Sequence, residues 1–408
     1  MSINWQKQKI LKSKNHQLKA SNEINNLVVK ERIGREIILD NDEKLIEFMS
    51  CSYLGLDQDE RLINASIRSI KKCGVNFAVA RTRLRVAAGV ELETYLNQIF
   101  KGYCITFTSL HIAHLGMFPL ISSGEMPSYP ISENGIVFVI DKKSHASIQL
   151  QRGLMQQFGE IYLKDFNQLE EIDSFLEQIG KTKKTPLLIA DGVCSMGGLI
   201  PIKGLMQLAD QYKGYVYIDD AHGISIQGKN GCGYVLNQLE SFHPRLILAI
   251  SLSKGFGANG AAIAVYSEED EKIVRCYCNP YMFSNPLPLS IVDSAIESSK
   301  IHLSDEIYLL QNKLLENIKF FDSLLQDTPI VEKVINFGSS SPVRGVKIGN
   351  ELKDIEMSMK LRKEGLAVTA AMYPTVSEGE SILRLAFGAN HTKKHIKYLA
   401  ERLLCLEL

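Results

Sequence analysis

The chain carries no net charge: 46 Lys and Arg balance 46 Asp and Glu. That balance argues against a nucleic-acid binder or a polybasic membrane-surface protein, since both need an excess of basic side chains. No apolar run approaches the ~18 residues needed to cross a bilayer. There is no internal repeat and no low-complexity tract. None of the eight cysteines (Cys51, Cys73, Cys104, Cys194, Cys232, Cys276, Cys278 and Cys405) forms a CxxC pair. In a chain this long that pattern points to a reducing compartment with buried thiols, not a disulfide framework. Cys276 and Cys278 have no second ligand pair at zinc spacing, so no metal site is expected. The opening segment MSINWQKQKILKSKNHQLK is polar and basic and lacks the apolar core of a signal peptide. A cytoplasmic location is expected, with no membrane span and no nucleic-acid partner.

What is present is a soluble globular composition, 45% apolar and 23% charged over 408 residues. That length suggests two or three structural units around a large core. Residues 1–26 read as an exposed helix or a mobile arm, followed by short β-like segments (LVVKERI, EIILD and KLIEFMS). Six continuous apolar runs then stand out: CITFT (104–108), IVFVID (136–141), LLIAD (187–191), YVYIDD (215–220), LILAIS (246–251) and AAIAVYS (261–267). Buried parallel strands have this character, because helices cover both faces of the sheet. Amphipathic stretches such as LEEIDSFLEQIG and IKGLMQLADQY lie between them. The alternation predicts a three-layer α/β/α core with a mostly parallel sheet. Ligands of such sheets sit beyond the carboxyl ends of the strands. The proline-containing segment CNPYMFSNPLPLS (278–290) breaks the pattern. The expected divisions are therefore 1–48 (arm and short strands), 49–290 (a large domain) and 291–408 (a smaller C-terminal α+β domain).

Gly255, Gly257 and Gly260 spell GxGxxG after a strand. A dinucleotide fingerprint needs a helix next, whose N-terminus meets the pyrophosphate; here the strand AAIAVYS follows. The same stretch, SLSKGFGANG, places Lys254 at a strand end. A lysine amine freed of its proton by desolvation and neighbouring charge can form imines, although the motif alone reads equally well as a solvated loop lysine. YVYIDDAHG ends a buried strand in Asp219 and Asp220, with His222 close behind. An acid in such a place needs a cationic partner. A pyridinium ring nitrogen is one such partner, and the paired ring becomes an electron sink; a helix-capping acid is the plainer alternative. His145 in DKKSHAS lies at a strand-to-helix turn, where its ring could stack on a flat cofactor. FTSLH (107–111) opens into a helical pattern whose first amides could hold a phosphate. His111 and His114 are spaced i, i+3 but have no third metal ligand. In DGVCSMGG, Asp191 closes a strand and Ser195 sits in a small-residue turn.

SHAS, DGVCSMGG, IDDAHG, SLSKGFG and LRLAFGANHT, in this order, resemble the α-oxoamine synthase family of fold-type I pyridoxal-phosphate enzymes, over nearly the whole chain from SYLGL (52–56) onward. The resemblance implies pyridoxal 5'-phosphate bound in the large domain. Lys254 would be the Schiff-base lysine and catalytic base, Asp219 the pyridinium partner, and His222 the residue bonding the ring oxygen. His145 would stack on the ring and take part in catalysis. Ser195 and Ser251, with the backbone at Leu110 and His111, would complete the cofactor contacts. Ser284 would reach the phosphate of a partner subunit in a homodimer with shared active sites, and Arg384 would grip the substrate carboxylate.

Three departures stand out. Cys51 occupies the place of a family Asn in SCSYLGL. Ser109-Leu110-His111 replaces a Ser-Gly-aromatic turn. VARTRLRVAAGVELE (79–93) replaces a glycine-rich stretch ending in Gly-Thr-x-x-His. The alternate Arg81, Arg83 and Arg85 of that segment either line a strand that meets an acyl-carrier phosphate or form a solvated edge. The implied reaction is decarboxylative condensation of an α-amino acid with an acyl thioester, from coenzyme A or a carrier protein, giving an α-aminoketone. The alternative is an aminotransferase on the same scaffold.

Overall fold

The computed structural model describes residues 5–406. The first four residues of the expected arm lie outside them; the helix Trp5–Glu23 occupies most of the remainder. The described residues form two compact units, one of residues 54–194 and 199–311, the other of the described residues up to 53, residues 195–198 and the described residues from 312 onward. The helix Leu289–His302 packs against Glu60–Cys73 and Ala87–Phe100 within the larger unit, although the proline-rich segment before it suggested a boundary at 290. Among the described residues, no helix is long and apolar enough to cross a membrane.

The larger unit is built on a seven-stranded sheet. Its spatial order is Tyr103–Phe107, Ala261–Val265, Leu246–Ser251, Tyr215–Asp219, Thr185–Asp191, Ile136–Asp141 and Gly159–Lys164. The last five strands pair in parallel. Ala261–Val265 runs antiparallel to both of its neighbours, which corrects the expectation that it is one of the parallel set. The reason is its connection. Residues 252–260 lead directly from Leu246–Ser251 into it, whereas a parallel return needs a crossover of a dozen residues or more. Gly159–Lys164 is an edge strand with partly exposed, partly polar side chains and so lacks the continuous apolar signature of its neighbours.

Side chains alternate between the faces of a strand, and both faces here are apolar. Val137, Val139, Leu188, Ala190, Val216, Ile218, Leu248 and Ile250 join one core. Phe138, Ile140, Leu187, Ile189, Tyr217, Ile247 and Ala249 join the other, together with Met117, Phe118 and Ile121 of the helix Leu110–Ser122.

The glycines of SLSKGFGANG serve packing and turn geometry. Gly257 has φ +78°, and a Cβ there would lie 2.4 Å from Leu56 Cβ; at Gly260 (φ +99°) it would lie 2.3 Å from Leu287 Cδ2.

The smaller unit holds two four-stranded sheets. One joins Val29–Ile33, Glu36–Leu39, Lys44–Glu47 and Leu366–Ala367; the other joins Val334–Ile335, Val343–Lys347, Ile382–Ala386 and Thr369–Ala371. Its centre is the buried ion pair Arg35–Glu47 at 2.8 Å. Arg35 also donates to Ser52 O at 2.6 Å and Asn390 Oδ1 at 2.7 Å. His391 stacks on Phe48 at 4.2 Å and bonds Glu47 O through Nε2 at 3.0 Å. The GANHT part of the C-terminal motif is thus a clamp on this ion pair.

Gly257→Ala should lower unfolding stability by about 2–4 kcal/mol, from the left-handed backbone and the overpacking together. Urea unfolding of the two proteins measures the difference; an unchanged midpoint would mean that the loop has another accessible conformation.

Candidate active site

Three adjacent parallel strands end in polar residues: Asp191, Asp219 and Ser251. Asp191 lies in register with Asp219, and Asp219 with Ala249. The two-residue period places Asp219 on the face of Tyr215 and Tyr217, toward the helix Leu110–Ser122, and turns Asp220 to the opposite face. Asp220 Oδ2 accepts from Val235 N at 3.1 Å, and burial drives its carboxyl well above the usual carboxylate range. The acidic pair read as one motif in the sequence is therefore split between two different environments.

Asp219 is the charged member. Its Oδ1 accepts from Ala221 N at 2.9 Å and its Oδ2 from His114 Nε2 at 3.3 Å. Burial alone would push its carboxyl up, but the His114 hydrogen bond, the nearby Lys254 and the Ala221 amide hold it below its ordinary value. Asp191 behaves oppositely: burial first, then the Asp219 charge, push it well up. Both Asp191 oxygens lie 3.1 Å from His145 N, which fixes the turn that carries the histidine.

His145 caps the short helix Ala146–Gln149. Its Nδ1 accepts from Ser147 N at 3.2 Å and lies 2.8 Å from Ser147 Oγ. Since an amide can only donate, Nδ1 is the acceptor and Nε2 carries the proton. Burial is the main influence on this ring and lowers its pKa, so the neutral form dominates at pH 7.

Lys254 is half-buried in the loop after Leu246–Ser251. Its charge is felt at Asp219, Asp191 and His145. Ser251 Oγ accepts from Ser253 N at 3.3 Å. Ser109 is the extended N-cap of Leu110–Ser122 and its Oγ accepts from Ile112 N at 3.4 Å. The N–H groups of Leu110 and His111 precede any intrahelical acceptor and are available to an anion; the His111 side chain itself is exposed. His222 is buried in the turn after Asp219. Ser284 ends the helix Asn279–Phe283 and donates to Pro280 O.

The larger unit thus brings together Lys254, Asp219, His145, Ser251 and the first turn at Leu110, and adds His114, which the sequence reading weighed only as a metal ligand. Arg384, Cys51 and Ser195 belong to the smaller unit. There Arg384, only 6% exposed, donates through Nε to Ser195 O at 2.7 Å and through Nη2 to Cys51 Sγ at 3.4 Å. Burial opposes its charge, but Tyr53 and Cys51 outweigh it and raise its pKa. Cys51, at the position of the usual family Asn, is in direct contact with the arginine.

The strand expected for Arg81, Arg83 and Arg85 is not formed; residues 81–83 are a turn. Arg81 lies over the Tyr281 ring at 3.9 Å and donates to Thr106 O, and Arg85 pairs with Glu93. Two of the three arginines are committed to internal contacts, so an alternating phosphate-facing row does not exist. Four thiols (Cys104, Cys194, Cys232 and Cys278) are buried, whereas Cys73, Cys276 and Cys405 are exposed, so the expectation of buried thiols holds for only half of them. Among the described residues no group of three or more metal-ligating side chains converges.

Residues 131–403 match the family model of the class I and II aminotransferases. The chain is 30% identical to an 8-amino-7-oxononanoate synthase of Petrotoga mobilis, over 88% of this chain and 87% of that one. It is 29% identical to the corresponding synthase of Thermoanaerobacter pseudethanolicus, over 95% and 93%. Among solved structures, serine palmitoyltransferase of Sphingomonas wittichii superimposes with a TM-score of 0.85 at 21% identity, covering 99% of this chain and 98% of that one. Serine palmitoyltransferase from S. paucimobilis with a bound PLP–myriocin aldimine gives 0.85 at 23% identity, over 99% and 98%. The buried acid, the strand-end lysine and the capped helix stand on the fold that these proteins share, and the chain belongs to the aminotransferase class I and II family, in its α-oxoamine synthase branch.

Proposed function

We propose that the protein is a pyridoxal-phosphate-dependent acyltransferase that condenses an α-amino acid with an acyl thioester, releases CO2 and the thiol, and yields an α-aminoketone. The observation that carries this reading is the charged, buried carboxylate of Asp219, placed at a strand end near an amine, Lys254, with no hydrogen bond or ion pair of its own among the described residues. The residues fit the cofactor. Asp219 supplies an anion for a protonated ring nitrogen, and the helix start at Ser109 supplies amides for a phosphate. When bound, the cofactor's pyridinium ring accepts the electron pair left at the substrate Cα.

The chain's own groups do the rest. With the cofactor bound, Lys254 Nζ would be the amine that holds it and the general base for the substrate Cα proton. Asp219 keeps the ring nitrogen protonated. His145 presents a neutral, flat imidazole with its Nε2–H free to donate, and His222 bonds the ring oxygen. Ser251 and the amides of Leu110 and His111 would hold the phosphate. In the smaller unit, the planar guanidinium of Arg384 suits a substrate carboxylate.

The assembly is a homodimer, with Ser284 serving the neighbouring copy's site. The exposure of Phe283 (80%), next to Ser284 in the chain, supports a second copy covering this segment. The location is the cytoplasm.

Incubation with amino acids and acyl-CoA should release free thiol, CO2 and an aminoketone. A keto acid without thiol release would instead establish amino-group transfer. Lys254→Ala should lower kcat by about 10²–10⁴-fold, the usual contribution of a positioned base, and should leave no reducible adduct in borohydride-treated peptide maps. Arg384→Lys should raise the KM for the amino acid about tenfold or more while leaving that for the acyl thioester unchanged, because lysine keeps the charge but loses the fork. Equal changes in both constants would remove Arg384 from the carboxylate site.

A further inference from the structure

His114 sits one turn inside the helix Leu110–Ser122 and is fully buried. Its Nδ1 lies 2.9 Å from the Tyr217 hydroxyl and its Nε2 3.3 Å from Asp219 Oδ2. The ring stacks on Phe118 at 5.8 Å and meets Tyr217 edge-on at 5.6 Å. An ionised carboxylate can only accept, so the contact with Asp219 places a proton on His114 Nε2; the Tyr217 hydroxyl, whose pKa burial and then the Asp219 charge push well above its ordinary value, lies at Nδ1.

The carboxylate then takes one hydrogen bond on each oxygen, from Ala221 N–H and from His114 Nε2–H. Its plane is fixed, and each oxygen keeps a lone pair for a cation. A merely packed core histidine would need no acidic partner. This one joins the only strand-end carboxyl of three, Asp191, Asp219 and Asp220, whose charged form the surroundings favour.

We propose that His114 is a positioning residue: the buried line from Tyr217 through His114 to Asp219 keeps that carboxylate ionised and aimed, and so sets the acid limit at which the protein can hold pyridoxal phosphate. This rests on Asp219 pairing with the cofactor's ring nitrogen, as proposed above. The other titratable groups that act on Asp219 are Lys254 from the following loop, His145 from the turn after Ile136–Asp141, Asp191 from the neighbouring strand and Asp220 next along the chain; His222 lies in the same turn. Substitution at position 114 leaves each of these groups in the chain, although His114 also acts on His145.

The sign follows from the direction of the shift. A carboxyl held below its ordinary value contributes above its unfolded pKa, and that contribution is lost as pH falls through the folded pKa. Removing His114 raises the folded pKa, so the loss moves to higher pH.

The test is the dissociation constant of pyridoxal phosphate for the full-length protein, stripped and reloaded, measured against pH for the parent and for His114→Phe, His114→Gln and His114→Asn. Ionisation of the ligand's own phosphate is common to all four and cancels. A glutamine amide reaches the place of Nε2, whereas an asparagine amide reaches only that of Nδ1. In Phe and Asn the acid midpoint should rise by about one pH unit, a tenfold weakening on the acid limb; Gln should stay close to the parent. The acid arm of the stripped protein's Tm–pH curve should move in the same direction. Should the Phe variant fail to fold, the Gln–Asn pair carries the same comparison. Coincident acid midpoints in Gln, Asn and parent overturn the proposal. Borohydride mapping separates the two levels. A Lys254 adduct with unmoved midpoints sinks the role of His114 alone, whereas no adduct in the parent sinks both this and the cofactor assignment.

Discussion

A carboxylate stays ionised inside a protein only when donors and cations replace the water it has lost, and the large unit is organised around one place where that condition is met. Asp219, Asp191 and Asp220 are all buried within two strand ends and the residue beyond. Asp220 has a backbone amide for company, and Asp191 has a backbone amide but faces the charge of Asp219; burial wins in both. Asp219 alone has an imidazole donor and a nearby ammonium as well as an amide. The difference comes from strand alternation and from which helix each face meets.

The surrounding backbone is shaped to bring those groups close. Gly257 and Gly260 let the Lys254 loop fold against Leu56 and Leu287, where any side chain would collide. Asp191 holds the His145 turn through its main chain, and Ser147 selects the ring tautomer. These contacts position side chains ahead of any ligand. Preorganisation of this kind lets binding energy serve the reaction instead of the ordering of the site.

Much of this was legible in the residues, for identifiable reasons. Strands covered on both faces are continuously apolar, so four of the runs gave the parallel core, and their polar last residues pointed to the ligand end. Lys254, Asp219, Ser251 and His145 stand out because each interrupts or follows such a run. The direction of Ala261–Val265 is not written in its side chains; it depends on the length of the loop before it. The partner of Asp219 was hidden for a different reason. His114 lies 105 residues away in the chain and Tyr217 lies 103 residues from that histidine, so only the folded sheet joins them. The arginines at 81, 83 and 85 misled because alternation was read as a strand, whereas Thr106, Tyr281 and Glu93 hold two of them in a turned segment.

The smaller unit is assembled from both ends of the described chain. The strand Lys44–Glu47 lies parallel to Leu366–Ala367, and Arg35 bonds Asn390. On a ribosome, the early segment would emerge more than three hundred residues before its sheet neighbour, with the Arg35–Glu47 pair still lacking its cover. Long-range pairing of this kind is slow and leaves strand edges open meanwhile. Nascent chains of this protein therefore present an unfinished β edge during most of their synthesis, a natural point of engagement for a holding chaperone.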